Sequence, residues 1–318
     1  MNEQWLSVVV VLLPLFAISA EWLIGLPGYW HPLYYFRLIA ELIAQRVNRP
    51  ENGVSQQRLA GHLSLLLMVS LPVITYWGLS VLADMPLLLN GVLLFFLLCW
   101  RPVMRDLKQT VAKLADQQEP LARIQLSAWV LRDTHQLQQA QITAAASESL
   151  ILNLAHSWFG VLFWYALGGV YGALVYRLID ILHQCWNRKK PTFGHFGQPV
   201  DIIHQWLCWL PDQLISLLMC CFGAMGKNWQ QRRLGFRWKR TSSGQLVGIC
   251  ACWLNAELGG QRFYQGKACS SALFGPINHP PLARDFSLLC QRCYFVACCF
   301  LLWVVYPILL CRYLVFGF

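Results

Sequence analysis

Charge is scarce in this sequence. Asp, Glu, Lys and Arg make up 13% of its 318 residues, where soluble domains carry about 25%. The N-terminal MNEQ has no positively charged n-region, and no small-x-small site leads into a polar start, so the first 29 residues do not read as a cleaved signal peptide. Cys290-Gln-Arg-Cys293 has CxxC spacing, but no second pair of Cys or His ligands completes a zinc site. Most of the 13 cysteines instead lie inside apolar runs, where free Cys behaves as a small hydrophobe. No internal repeat is present. The base is unclustered, so the net charge of +10 points to the positive-inside bias and anionic lipid headgroups, with no nucleic-acid partner.

What is abundant is apolar sequence. Hydrophobic residues make up 57% of the chain, with 15 Trp and 17 Phe, and the mean hydropathy is +0.44. The reading is an all-α, polytopic integral membrane protein, one membrane-embedded domain over 1–318 with its lipid bilayer as partner. Apolar segments lie at 5–29, 61–83, 85–100, 150–175, 206–226 and 293–316. The first is long enough to span at about 20 residues, with Pro14 tolerated as a kink and Glu21 near its far end. The second and third form a hairpin across Ala83-Asp84-Met85-Pro86. Arg312 and Tyr313 read as interfacial anchors.

Between these segments run basic polar stretches. Residues 30–60 carry Arg37, Arg46, Arg49 and Arg58, and 227–292 open with Lys227, Arg232, Arg233, Arg237, Lys239 and Arg240. Residues 101–149 read as amphipathic helices, RPVMRDLKQTVAKLADQQ then LARIQLSAWVLRD. GQLVGICACWLNAELGG reads as a further, weakly apolar helix. If every apolar segment spans once, 177–205, with Arg177, Arg188, Lys189 and Lys190, falls opposite the other basic stretches, against the positive-inside rule. The conflict disappears if 150–175 and 206–226 re-enter, or pack as buried helices on the cytoplasmic side. Gly168-Gly169 and Pro211-Asp212 suit that reading. It leaves three or four true spans and a functional cavity facing the cytoplasm.

Chemistry concentrates in AAASESLILNLAHSW, residues 144–158. At helical spacing Ser149, Asn153 and His156 share a stripe, with Glu148 about 100° to the side. Unpaired polar groups entering hydrocarbon cost several kcal/mol, so the stripe needs a reason.

Weak motifs then follow one another in a distinctive order: WHPLYYFRLIAELI, the RDT of VLRDTHQL, the ES...N of that polar run, LFWYALGGVYGALVYRLID, Phe196-Gly197, Trp209-Leu210-Pro211 and LGGQRFYQG. Their succession resembles the CobD/CbiB family of cobalamin-biosynthetic membrane proteins along nearly the whole chain. The resemblance implies a bacterial inner-membrane ligase that joins aminopropanol, or its phosphate, to a propionate carboxylate of the corrinoid adenosylcobyric acid, with ATP and magnesium as implied cofactors. It also implies site residues. His31 stands in the family's His-Pro, and Arg132, Asp133 and Thr134 in its Arg-Asp-Thr. Glu148, Ser149 and Asn153 survive from its acidic run. Leu152 replaces a Glu there, His156-Ser157 an Asp-Gly, Asp180-Ile181-Leu182-His183 an Asn-Thr-Leu-Asp, and His204-Gln205 an Asp-Asp. Cys208 replaces an Asn, and Gly244 alone survives from a Pro-Asn-Ala-Gly-Trp-Pro-Glu segment.

On that reading Glu148, Asn153 and Asp133 are the catalytic candidates, Glu148 being the best base or metal ligand. His31, Arg132, Ser149, Asp180, Gly259, Gly260 and Tyr264 are the substrate-binding candidates, and the metal ligands stay open. Plain structural roles are available beside these: Glu148 as a helix-start residue near the positive dipole end, Arg132 and Asp133 as a local ion pair, His31 as an interfacial anchor, His156 as a helix-packing group and Gly259-Gly260 as a turn. The AmpE-like branch of the same superfamily, described as membrane signalling modulators linked to cell-wall recycling, lacks most of the acidic motifs. VLFWYALGG and VDIIHQWLCWLP resemble it as closely, so a catalytically silent protein is the alternative.

Overall fold

The computed structural model describes residues 3–25, 30–49, 51–238 and 240–316. Lys239 and the last four residues of the first apolar segment, 26–29, lie outside them. In chain order α1 runs Glu3–Ile24, α2 Pro32–Val47, α3 Val54–Leu82, α4 Pro86–Leu97, α5 Arg101–Ala115, α6 Glu119–Ser127 and α7 Gln139–Leu154. Then come α8 Gly160–Cys185, α9 Gln198–Cys220, α10 Met225–Leu234, α11 Thr241–Leu254, β1 Leu258–Tyr264, β2 Lys267–Phe274, α12 Ala283–Phe300 and α13 Tyr306–Phe316. Single π turns at Ala155–Phe159 and Leu301–Val305 join α7 to α8 and α12 to α13.

Four helical stretches among the described residues are long and apolar enough to cross a membrane: Val54–Leu82, Pro86–Ala115, Gln139–Cys185 and Ala283–Leu314. The protein is an all-α, multi-pass membrane protein. On α3, Leu63, Leu66, Leu67, Leu71, Ile74 and Trp77 are exposed, as a lipid-facing surface requires. The α3–α4 turn is where the sequence puts it. Met85 is non-helical and Pro86 opens α4 at a position that needs no N–H. Within α8, Gly169 takes φ +63°, outside helical geometry.

The chain divides into two compact units. The first comprises Met1–Cys99, Gly160–Cys208 and Leu302–Phe318. Its core gathers Ala40, Ala44, Leu65, Met68, Ile179, Leu182, Trp186, Phe196 and Val200. Trp186 meets Phe196 edge-on at 5.0 Å and donates its indole N–H to the Ala40 carbonyl at 3.0 Å, so the large ring packs with its polar atom satisfied.

The second unit comprises Trp100–Phe159 and Trp209–Leu301. Here α5 shows why its sequence reads as amphipathic: Val103, Met104, Leu107, Val111 and Leu114 recur at helical spacing and are all buried. At the unit's centre α11 is buried on every face from Ser242 to Ala251. It packs closely on α10 and the turn after it, because a Cβ on Gly244 would lie 2.5 Å from the Gly235 carbonyl oxygen. The helix expected over GQLVGICACWLNAELGG ends early, at Leu254, where Asn255 caps it in the left-handed conformation (φ 49°). The chain beyond forms an antiparallel β1–β2 hairpin, paired Leu258 to Phe274 and Tyr264 to Lys267, with a bulge between Gly259 and Gln261.

Candidate functional site

In the second unit, Glu148 gathers two hydrogen bonds and one further cation. Arg132 donates to Oε2 at 2.6 Å, the Gly259 N–H donates to Oε1 at 2.8 Å, and the Arg262 guanidinium lies 3.0 Å from Oε1. Glu148 is buried, its side chain 5% exposed, and the two arginine side chains are 10% exposed. Arg262 also lies over the Trp238 ring at 4.7 Å, a cation–π contact that keeps its face covered. The Glu148 charge raises the Arg262 pKa against burial, the largest influence on it, which acts to lower it.

The glycine pair makes this approach feasible. Gly259 and Gly260 have φ of +97° and +79°, and a Cβ on Gly259 would sit 2.2 Å from the Ala272 carbonyl oxygen. They form the bulge within β1, where a turn was expected. Glu148 itself lies in the third turn of α7, which starts at Gln139, so the helix-start role does not apply.

Asp133 binds the other end of the hairpin. Its N–H donates to the Phe263 carbonyl at 2.8 Å, and its carboxylate accepts from the N–H groups of Gln265 (3.2 Å) and Gly266 (2.8 Å). Arg132 and Asp133 therefore turn to different partners, and the local ion pair between them is replaced by these two. Tyr264 is buried at the end of β1. On α7, Ser149 donates to the Trp129 carbonyl at 3.0 Å, and Asn153 donates to the Ser149 carbonyl at 2.8 Å and its hydroxyl at 3.1 Å. Glu148, Arg132, Asp133, Gly259, Gly260 and Tyr264 thus surround one hairpin, with Ser149 and Asn153 on the helix that receives it.

The remaining two candidates, His31 and Asp180, belong to the first unit. Asp180 is 1% exposed. Its Oδ2 accepts from Arg177 at 2.5 Å and Gln184 at 3.1 Å, and its Oδ1 meets His204 Nε2 at 3.1 Å. The His183 ring stacks on His204 with centroids 4.2 Å apart, and His183 Nε2 lies 3.3 Å from Asp201 Oδ1. Cys208 Sγ approaches His204 and the Tyr176 hydroxyl at 3.3 and 3.4 Å. A cluster of imidazoles, carboxylates and guanidinium groups, buried at Asp180 and His204, therefore stands where the resemblance leads one to expect acids.

His31 caps α2, its Nδ1 accepting the Leu33 N–H at 3.3 Å before Pro32 at the first helical position. Burial, and next the Arg177 charge, lower its pKa to about 4. The folded protein therefore favours neutral His31. Its contribution is complete above the ordinary imidazole pKa of about 6.5 and is lost as pH falls toward about 4. Replacing His31 by Asn, which keeps a capping acceptor, is expected to flatten the acid limb of a stability-versus-pH curve between those values. An unchanged limb removes His31 as its cause.

Sequence reasoning missed Arg262, Trp238, Arg177 and the His183–His204 stack. Arg262 lay in the LGGQRFYQG motif, and Arg177, Asp180 and His183 recur at i and i+3 on one helix. Those were the available signals.

With the geometry in hand, comparison with known proteins decides the family. A family model described as CobD/Cbib protein matches residues 14–291. The chain belongs to that family. The similar relatives include the Cobalamin biosynthesis protein CobD of Chromobacterium violaceum, 28% identical over 79% of this chain and 82% of that protein. The Cobalamin biosynthesis protein CobD of Sinorhizobium sp is 24% identical over 86% of this chain and 90% of that one. The Cobalamin biosynthesis protein CbiB of Salmonella choleraesuis is 26% identical over 84% and 88%. No solved structure matches the chain. In this CobD/Cbib family member, the three motifs at Arg132, Glu148 and Gly259 converge on one contact although they stand 16 and 111 residues apart.

Proposed function

We propose that this family member joins aminopropanol, or its phosphate, to a propionate carboxylate of adenosylcobyric acid. The amine nitrogen forms the amide bond, and the carboxylate oxygen leaves as phosphate after activation by a nucleoside triphosphate. The observation that carries the reading is the convergence of Arg132, Glu148 and Gly259 on one contact. By the positive-inside rule we place this multi-pass chain in the bacterial inner membrane, with its basic stretches and its cavity toward the cytoplasm.

The implied magnesium does not fit the surviving carboxylates. Magnesium takes oxygen ligands, one or two carboxylates with water and phosphate. Here Glu148 is engaged by two guanidinium groups and an N–H, Asp133 by two N–H groups, and Asp180 by Arg177, Gln184 and His204. Nor does Gly259 offer its N–H to a nucleotide phosphate, since Glu148 holds it. Glu148 is therefore better suited to positioning Arg132 and Arg262 than to abstracting a proton. Asn153 and Ser149, hydrogen-bonded to each other on α7, are the polar groups beside it.

The test is genetic. The gene is expected to restore aminopropanol attachment in a strain lacking its own synthase, and failure at good membrane expression removes the proposal. The engagement of both carboxylates in holding the hairpin favours one second reading, an AmpE-like silent modulator. That reading requires failed complementation together with an altered β-lactam response on deletion.

A further inference from the structure

The first unit holds a cavity of about 340 Å³ whose lining includes Ser80, Pro86, Asn90, Gly169, Tyr171 and Arg312. That volume is in the range of small-ligand sites. Hydrogen bonds fix its wall. Ser80 donates to the Trp77 carbonyl at 2.7 Å and stands 2.9 Å from the Tyr171 hydroxyl. Tyr76 packs edge-on against Tyr171, with centroids 5.3 Å apart, and donates its hydroxyl to Asn90 Oδ1. That bond commits the oxygen of the Asn90 amide and leaves its NH2 end as a donor for the cavity.

Arg312 is the one charged side chain among the lining residues. The break in α8 makes room for it: Gly169 takes φ +63°, and a Cβ there would lie 3.3 Å from Arg312 Nη1. A guanidinium has five N–H donors, more than one partner can use, and it takes a phosphate through two of them side by side.

The cavity sits where helices end, with Ser80 close to the end of α3, Pro86 opening α4 and Arg312 close to the end of α13. From Arg58, in the basic approach to α3, to Ser80 the helix runs about 33 Å at 1.5 Å per residue. That matches a hydrocarbon core of about 30 Å, so the cavity falls at headgroup level in the leaflet away from the basic stretches. Leu79, Leu82, Leu310 and Leu314 flank the lining residues in sequence and are exposed, offering apolar surface beside the polar cavity. A ligand that fits both has a phosphate at one end and hydrocarbon at the other.

We propose that this cavity seats the phosphate of a phospholipid headgroup, held by Arg312 and the Asn90 amide. The site belongs to the first unit, and the inference holds whether or not the amide chemistry does.

The test is native mass spectrometry of the full chain released from detergent. It is titrated with phosphatidylglycerol, with diacylglycerol of the same acyl chains, and with glycerol phosphate. Wild-type protein is expected to hold one phosphatidylglycerol at least about tenfold more tightly than diacylglycerol. Arg312→Gln is expected to remove that preference and Asn90→Leu to reduce it. Arg284→Gln, at a side chain 82% exposed, is expected to keep it. Equal binding of phosphatidylglycerol and diacylglycerol overturns the proposal, as does a folded Arg312→Gln protein that binds like wild type. Displacement of the lipid by glycerol phosphate at comparable concentration overturns the lipid source and assigns the cavity to a soluble phosphate ester. If the variants fail to fold, wild-type protein decides: phosphatidylglycerol with a photoreactive headgroup is expected to label residues 80–90 and 309–312, and labelling confined to other segments overturns the proposal.

Discussion

Replacing Glu148 by glutamine is expected to lower stability by about 3–5 kcal/mol, the cost of breaking a buried ion pair from one side. The effect is large because the substitution strands two cations. Arg132 and Arg262 are each 10% exposed, and an amide offers them one neutral oxygen where a carboxylate offered two charged ones. The amide's NH2 group would also have to face donors, since guanidinium and backbone N–H groups surround that position. The loss should fall first on the β1–β2 hairpin, because Gly259 is tied to Glu148. A lowered denaturant midpoint, together with faster proteolysis between Leu258 and Phe274, is the expected result. A variant with an unchanged midpoint removes Glu148 as the anchor of this unit.

Asp180→Asn is expected to cost a comparable amount, about 3–5 kcal/mol, for the same reason. Arg177 would keep its charge at 6% exposure without its partner, and His204 would lose the carboxylate at its Nε2. Asp201→Asn provides the contrast within the same unit. Arg188, one of the partners of Asp201, is 40% exposed, and ion pairs open to water contribute about 0–1 kcal/mol. Denaturation midpoints of the two variants should therefore differ clearly. Equal midpoints would mean that the Arg177–Asp180–His204 contact does not support the fold.

The fold was legible where periodicity is strong and local. The membrane-length helices, the Met85-Pro86 turn and the buried stripe of α5 follow from apolar spacing and proline chemistry over a few residues. The hairpin was hidden. LGGQRFYQG carries two positive-φ glycines and a bulge, so its strand lacks a clean alternation, and Asn255 stops α11 in a left-handed conformation that a lone Asn permits without requiring. Within the site, motif order singled out Glu148, Arg132 and Gly259, but spacing could not join residues 111 positions apart. Arg262 had no signal beyond its place in a motif, since a strand arginine is ordinarily solvent-facing. Asp212 read only, with Pro211, as suiting a re-entrant or buried segment, because a carboxylate that no hydrogen bond reaches among the described residues is a property of three-dimensional surroundings.

The central claim is the reaction, and one measurement addresses it directly. Membranes containing the protein are supplied with adenosylcobyric acid, aminopropanol or its phosphate, and ATP, and the corrinoids are resolved by mass spectrometry. The expected product gains the mass of the amine less one water, in proportion to the protein present, and Glu148→Gln membranes form little of it. Unchanged adenosylcobyric acid with folded wild-type protein at high level contradicts the account.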